Sequence, residues 1–432
     1  MAAFITNYWT ILRQTSRDVR MYLLTATLFG LSYFGFVTVL LNLYLLRLEY
    51  GPAFIGLANG GTALAFAVCS LPAGAIGDRW GYRRSVVLGV TLVGAGASFL
   101  PLAEFLPDIL QDGGIIFTRL MSGLGFALYS VNANPYLVAA TKDDERNHIF
   151  SMRVALPPLT GFIGSLIAGF MPDLFAAMLN LSLDDPAPFR YPLILSGLLL
   201  TPAIFGLLTI QDIDPVNEPI NDTDQTRRLR ETVTEAAPYA IIAFLAVTAL
   251  LRMSGEGAGR TFFNVYLDDG LGVPTSRIGL MTAFSQLLAG PAALAAPLLI
   301  GRVGKIWAIV ISTGATAVFL IVMGIIPHWA IVSLGFTGVI SMRAVTQSVT
   351  MVVQMEIVPP RWRGKASGAI SMAMGSGFSL MALGGGYAIP LIGYQGLYFS
   401  AAGLVTLSAV IFWAYFRIPR GEYAQTNEAS SR

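Results

Sequence analysis

Five charged residues sit within long apolar runs: Arg119, Arg252, Glu256, Arg260 and Arg343. A charge at the centre of a bilayer costs about 2.5–3.5 kcal/mol on insertion scales, so these five are expected to face a cavity or one another. Arg252, Glu256 and Arg260 are spaced four apart. On a helix they make one stripe, drifting about 40° and rising about 6 Å at each step. Glu256 can pair with either flanking arginine, although an i, i+4 pair of this kind also serves helices as a purely structural tie. Arg343 has no acidic neighbour in sequence and, like Arg252, falls near the middle of its run. Four arginines against one glutamate leave a positive surplus that suits an anionic group. Glu256 is the candidate proton carrier, because its protonation would free the arginine it holds. Asn132, Asn134, Gln286 and Gln347 offer further hydrogen bonds.

A second cluster is the turn GAIGDRWGYRR, from Gly74 to Arg84. Gly74, on the last turn of a helix, is expected to let a neighbouring helix approach closely. Asp78, just past that helix, can accept backbone N–H bonds from the N-terminus of another, where negative charge is favoured. Arg79, Arg83 and Arg84 fit equally well as anchors on lipid head groups. The lone Cys69 has no partner for an intrachain disulfide and is expected to pack inside its helix.

The elements that carry these residues follow from composition. The chain has 432 residues, 55% of them hydrophobic and 12% charged, and a mean hydropathy of +0.66. A soluble domain carries about 25% charged residues. Twelve apolar stretches are long enough to cross a bilayer, which takes about 20 residues: 21–46, 53–76, 84–104, 114–138, 150–178, 191–211, 238–267, 276–300, 306–325, 329–353, 365–390 and 393–416. Backbone groups in lipid must be satisfied within each segment, so the stretches are helices.

With the N-terminus inside, twenty of the 27 Lys and Arg residues fall on the inner side. Three, Arg47, Arg190 and Arg277, fall outside, and four lie within the membrane. That bias predicts cytoplasmic termini, and the net charge of +2 that accompanies it is no sign of nucleic-acid binding. Residues 1–20 lack a signal-peptide pattern. Tyr8 and Trp9 beside Arg13 and Arg17 read as a short interfacial helix.

The chain also repeats. NLYLLRLEYGPAFIGL from Asn42 returns as NVYLDDGLGVPTSRIGL from Asn264, and Asp78-Arg79-Trp80-Gly81 aligns with Gly301-Arg302-Val303-Gly304. The organisation is a cytoplasmic segment 1–20, a six-helix bundle 21–212, a polar linker 213–237, a second bundle 238–417 and a tail 418–432. Parallel six-helix halves with a site between them at mid-membrane are a known transporter plan.

From Tyr22 to Phe416 the chain resembles the major facilitator superfamily. Gly74, Asp78, Arg79, Gly81, Arg83 and Arg84 match the family signature G-x-x-x-D-R-x-G-x-R-R, and Arg119, Gly123 and Gly125 match the weaker R-x-x-x-G-x-G. The run EIVPPRWRGKASG, from Glu356 to Gly368, is similar to the family's usual lead into the eleventh helix. The resemblance implies that helices 1, 4, 7 and 10 line a central cavity, and the five buried charges fall on three of these four. It implies that Asp78 latches the cytoplasmic face by meeting the start of helix 11 near 364–366, and that Arg119 has a partly structural role. Gly301, standing where Asp78 stands in the first half, leaves the mirror latch weak or absent. Gly and Pro in helix 5 (Pro157, Pro158, Gly161, Gly164, Gly169) and helix 11 (Gly375, Gly377, Gly384 to Gly386) fit bending or close packing. PPLTGFIG on helix 5 breaks the antiporter pattern G-P-x-x-G-G, which weighs against drug export.

The expected fold is an all-α membrane protein with twelve transmembrane helices in two pseudo-symmetric six-helix bundles. The expected function is secondary active transport by alternating access, proton-coupled and directed at an organic anion or metabolite. Multidrug efflux is the alternative, and a transporter-like sensor or an intramembrane enzyme the remote ones. Gly301-Arg302-Val303-Gly304-Lys305 lacks phosphate-loop spacing, so an ATP-driven pump is not expected. His148 and His328 fall on opposite sides, and neither a catalytic set nor a metal or cofactor site is indicated. The expected partners are a small molecule, protons and the lipid bilayer, with the chain a monomer of the cell inner membrane.

Overall fold

The computed structural model describes residues 15–141, 143–210, 239–359 and 362–417, and every regular element among them is helical. The first bundle is built from α1 (Arg17–Arg47), α2 (Pro52–Trp80), α3 (Tyr82–Phe105), α4 (Asp108–Ala140), α5 (Asp143–Leu179) and α6 (Ala187–Leu208). The second runs through α7 (Tyr239–Gly270), α8 (Thr275–Val303), α9 (Lys305–Ile325) and α10 (Trp329–Ile357). The last continuous helical stretch, Arg363–Arg417, is interrupted at Gly393, whose φ of 69° and ψ of 173° are not helical. The interruption divides it into α11 (363–392) and α12 (394–417), which completes twelve crossings.

Local rules explain the ends. Ser16 caps α1, its hydroxyl accepting from Val19 N at 3.3 Å. Pro52 opens α2 from the first turn, where its missing N–H costs nothing. Gly81 between α2 and α3 has φ 95°, and its repeat partner Gly304 between α8 and α9 has φ 79°. Both turns need a left-handed residue, which glycine supplies without a Cβ clash. Several observed bounds correct the expected ones, among them that of α4, which begins at Asp108 rather than 114. α5 begins at Asp143 rather than 150, and α6 spans Ala187–Leu208 with a break after Leu198 rather than running 191–211. Of the expected interfacial segment 1–20, residues 1–14 lie outside the described residues and Arg17 to Arg20 instead open α1; the linker 213–237 and the tail 418–432 also lie outside them.

Packing differs between the two ends of the molecule. At the end away from the termini, here the far face, one apolar core joins both bundles: Val39, Leu43 and Ile55 pack in the same cluster as Phe262, Val265, Ile278 and Met381. Phe263 and Phe336 stack within it at 3.8 Å. At the end carrying the termini the cores are separate. Val19, Val86, Tyr136 and Leu207 belong to one, and Ile242, Ala308, Val349 and Phe412 to the other. Near that end α8 is loosely covered, with Leu294 80% and Leu298 71% exposed. The halves therefore share a core at the far face and have separate cores toward the termini face, where α2 and α11 still touch at Leu71 and Gly368.

Small residues make the seams. A Cβ on Gly56 of α2 would lie 2.2 Å from the Ala382 carbonyl of α11, and one on Gly279 of α8 would lie 2.4 Å from Gly169 Cα of α5. Glycine at these places lets backbones meet across the bundles, as in other membrane helix pairs.

Candidate functional site

Glu256 is the centre of the buried charge. Its side chain is 1% exposed, and Arg343 Nε on α10 approaches Oε2 at 3.3 Å. Arg252 Nε lies farther, 3.9 Å from Oε1. Arg252 also donates to Thr350 Oγ1 on α10 at 3.4 Å. Arg260 does not make the expected contact pair with Glu256; its guanidinium lies over the Phe378 ring of α11, 5.3 Å from the centroid. The stripe is real, but the cation nearest the carboxylate comes from another helix, so Arg343 is not partnerless. Arg252 Nε, Arg343 Nε and Glu256 Oε2 are buried without a hydrogen-bond partner among the described residues. Contact ion pairs lacking hydrogen-bond alignment hold less tightly than bidentate ones.

Arg119 lies apart from this group on α4, 5% exposed. Its Nη2 donates to Asn59 Oδ1 at 3.4 Å, while Nε has no partner among the described residues. The Tyr33 and Phe126 rings stack at 5.3 Å, and Phe126 meets Phe66 of α2 at 5.2 Å. Tyr33, on the π-helical stretch Gly30–Val37 of α1, belongs to a kind of local distortion that recurs at functional sites.

The polar neighbours divide. Gln286 of α8 donates to Phe34 O at 3.0 Å and Ser165 Oγ at 2.8 Å, joining the bundles. Asn132 donates to Ala73 O at 3.0 Å within the first bundle, and Asn134 accepts from Arg153. Gln347 is exposed.

The far face is closed by a gate that the sequence does not mark as such. Arg47, at the end of α1, forms a bidentate pair with Asp268 of α7, with Nη1–Oδ2 2.6 Å and Nη2–Oδ1 2.8 Å. Beneath it two repeat-related carboxamides cross the interface. Asn42 Nδ2 donates to Thr261 O at 2.7 Å, and Asn264 Nδ2 donates to Thr38 O at 2.8 Å. Their oxygens are held by repeat-related residues too, Asn59 Nδ2 at 2.8 Å and Thr282 Oγ1 at 3.4 Å. Asn59 thus ties the gate to Arg119. The pairing of Asn42 with Asn264 in the repeat was the available signal.

At the termini face Asp78 lies in the last turn of α2 rather than beyond it, and its carboxylate accepts from Tyr82 Oη at 2.9 Å. Gly74 is not the close-approach glycine: a Cβ there would meet only Val131 at 3.7 Å, whereas one on Gly77 would fall 1.7 Å from Asn132 Oδ1. Arg83 donates to the Leu207 carbonyl at 3.0 Å and to Leu208 O, capping the C-terminal end of α6, while Arg79 is exposed. Arg84 also engages partners. Gly123 and Gly125 of α4 admit α2 and α3: Cβ atoms there would lie 2.3 Å from Thr62 O and 2.7 Å from Gly89 O. Gly301 has open space around it.

Solved structures share the fold. A bacterial homolog of the human lysosomal transporter Spinster, in an inward-facing and occupied conformation, superposes with a TM-score of 0.74 at 14% identity, over 92% of this chain and 96% of that one. The D-xylose-proton symporter gives 0.68 at 15%, over 92% and 97%. The nucleoside transporter NupG gives 0.70 at 17%, over 93% and 100%. In sequence, an uncharacterized MFS-type transporter of Methanocaldococcus jannaschii is 21% identical over 89% of this chain and 94% of its own length. A glucose/galactose transporter of Brucella abortus is 28% identical over 37% and 38%. The profile of the Major Facilitator Superfamily matches residues 22–269 and 245–431. The chain therefore belongs to the Major Facilitator Superfamily, as a multi-pass membrane transporter and not an enzyme.

Proposed function

We propose that the protein is a secondary active transporter of a small organic anion, coupled to protons and working by alternating access. Arg119, Arg252, Glu256, Arg260 and Arg343 form the substrate and coupling site. The observation that carries the reading is Glu256, 1% exposed and closest to an arginine of another helix at 3.3 Å, in a molecule whose halves share an apolar core at one end.

A carboxylate at Glu256 occupies Arg343. Protonation removes that hold and leaves the guanidinium free for a substrate carboxylate, so proton and anion favour each other's binding, and the coupling is reciprocal. That is the logic of symport. The proton coupling named for the D-xylose symporter of the same fold supports the reading. The Lys and Arg bias supports cytoplasmic termini in the cell inner membrane, so the far face is the outer gate and Asp78 the inner latch. The protein acts as a monomer, each chain holding a complete site.

The efflux alternative is favoured by one observation, the aromatic wall of Tyr33, Phe66 and Phe126. Under it the arginines are structural and lipophilic cations are the cargo.

The test uses sealed proteoliposomes with an imposed proton gradient, screened with organic anions and lipophilic cations. Glu256→Gln is expected to abolish gradient-driven accumulation while substrate exchange continues. Arg343→Ala is expected to lose anion binding at every pH. Accumulation by Glu256→Gln at the parent level would place the proton elsewhere. Flux needing ATP and no gradient would remove the secondary-transport reading altogether.

A further inference from the structure

The partly exposed side chains at mid-helix form two unlike walls, aromatic in the first bundle and cationic in the second, and their chemistry narrows the cargo. Resting on the reading above, we infer that the substrate is a planar aromatic acid, its ring laid against Tyr33 and Phe126 and its carboxylate held by the arginines of the second bundle.

The first wall is aromatic. Tyr33 and Phe126 are nearly parallel, 11° apart, and both rings are partly exposed although they lie at mid-helix. Phe126 follows Arg119 by seven residues, two helical turns, so the ring and the buried guanidinium share a face of α4. A ligand ring stacked on such a wall gains beyond its buried area, by a margin equal to about two- to tenfold in affinity over a saturated ring of the same size.

The second wall is weighted toward donors. Guanidinium groups have no acceptor, and the one carboxylate facing them, Glu256, is 1% exposed and already held between Arg343 and Arg252. A polyol would bring hydroxyl protons for which the exposed Gln347 carboxamide is the acceptor at hand, while the guanidinium groups offer none, so plain sugars match this side less well. A carboxylate brings only lone pairs and matches the planar guanidinium fork. Arg343, 35% exposed, is the cation most available to it. Arg119 Nε, buried and without a partner among the described residues, points the same way from the first bundle. The aromatic group adjoins the second bundle: Phe66, 5.2 Å from Phe126, neighbours Ala67, against which Gly375 of α11 packs, and Phe378, one turn farther along α11, is the ring under Arg260.

The experiment is thermal stabilisation of the purified full-length protein by four probes: 2-naphthoate, decahydro-2-naphthoate, 2-naphthamide and D-xylose. Naphthoate is expected to bind tightest, the saturated acid about two- to tenfold more weakly, and the neutral amide about tenfold or more weakly. Xylose is expected to give no shift. Phe126→Leu should erase the preference for the aromatic over the saturated acid and keep the preference for acid over amide; Arg343→Gln should do the reverse. Phe126→Trp, which keeps a ring, should retain the aromatic preference and shows that the Leu effect is not misfolding. Equal binding of the two acids by the parent protein overturns the aromatic inference and leaves the organic-anion reading standing. Equal binding of acid and amide overturns both.

Discussion

The far-face gate gives the sharpest test of alternating access, through a double-mutant cycle on Arg47 and Asp268. Each side chain is partly buried, 18% and 10% exposed, and two charge-assisted hydrogen bonds of 2.6 and 2.8 Å join them. Exposed ion pairs contribute about 0–1 kcal/mol, whereas hydrogen bonds to charged groups contribute about 1.5–3 kcal/mol. At this burial a coupling of about 2 kcal/mol is expected, equal to about thirtyfold in the ratio of far-face-closed to far-face-open molecules. Arg47 also donates to Leu183 O at 2.7 Å and lies 5.2 Å over the Phe189 ring, contacts inside its own bundle that Arg47→Gln also disturbs. Only the cycle with Asp268→Asn isolates the cross-bundle share. Spin labels on Asp184 and Arg277, far-face positions in different bundles, read the population directly in a Cys69→Ser background. Asp268→Asn should add a longer-distance component, and little further change should follow when Arg47→Gln is combined with it. High salt should alter the parent only modestly, because the pair is shielded. A coupling below about 0.5 kcal/mol with unchanged distances would refute the reasoning and leave closure to the glycine seams.

Those seams make a second prediction. Gly279→Val should prop the α5–α8 contact open, since even a Cβ would lie 2.4 Å from Gly169 Cα, while Gly301→Ala, with nothing within 4 Å, should leave the same label distances unchanged. At the other face, Asp78→Asn is expected to keep the fold and bias the protein toward the termini-open state. Labels on the termini ends of the two bundles should separate further on average, and unchanged distances with unchanged flux would make Asp78 simply the acceptor for Tyr82. Finally, Asn42→Leu and Asn264→Leu should each weaken far-face closure by about 1 kcal/mol. Only the first should also weaken anion binding, because Asn42 reaches Arg119 through Asn59.

The architecture was legible because lipid imposes it. Segment length, low charge and the repeat from Asn42 to Asn264 dictate twelve helices and two halves. Boundaries were less so: at α6 the apolar run is continuous, and the break after Leu198 is marked only by Pro202, which has no N–H to bond the Leu198 carbonyl. The charge stripe on α7 stood out because buried charge is costly. Its true partner did not, since the meeting of Glu256 with Arg343 is a contact between α7 and α10 that no spacing encodes. Arg47 and Asp268 were hidden for the opposite reason, as charges at helix ends look solvated until the tertiary fold brings two such ends together. Gly74 illustrates the limit of motif reading: the signature contains the residue, but the close approach is at Gly77.

The two faces are closed by unequal means, and the inequality bears on how the cycle must run. At the far face an ion pair, two crossed carboxamides and two glycine seams act together. At the termini face the first half offers Asp78 and the second offers Gly301, with no carboxylate to match it. The structure holds the far face closed; cargo can shift that equilibrium only by its difference in affinity for the two states, and an uptake cycle also requires the empty carrier to reopen this face. The route from cargo to gate is on hand. An anion drawing on Arg119 competes with Asn59, Asn59 also holds Asn42, and Asn42 is one of the two carboxamides that cross the interface. Occupancy of the cavity loosens the gate from within.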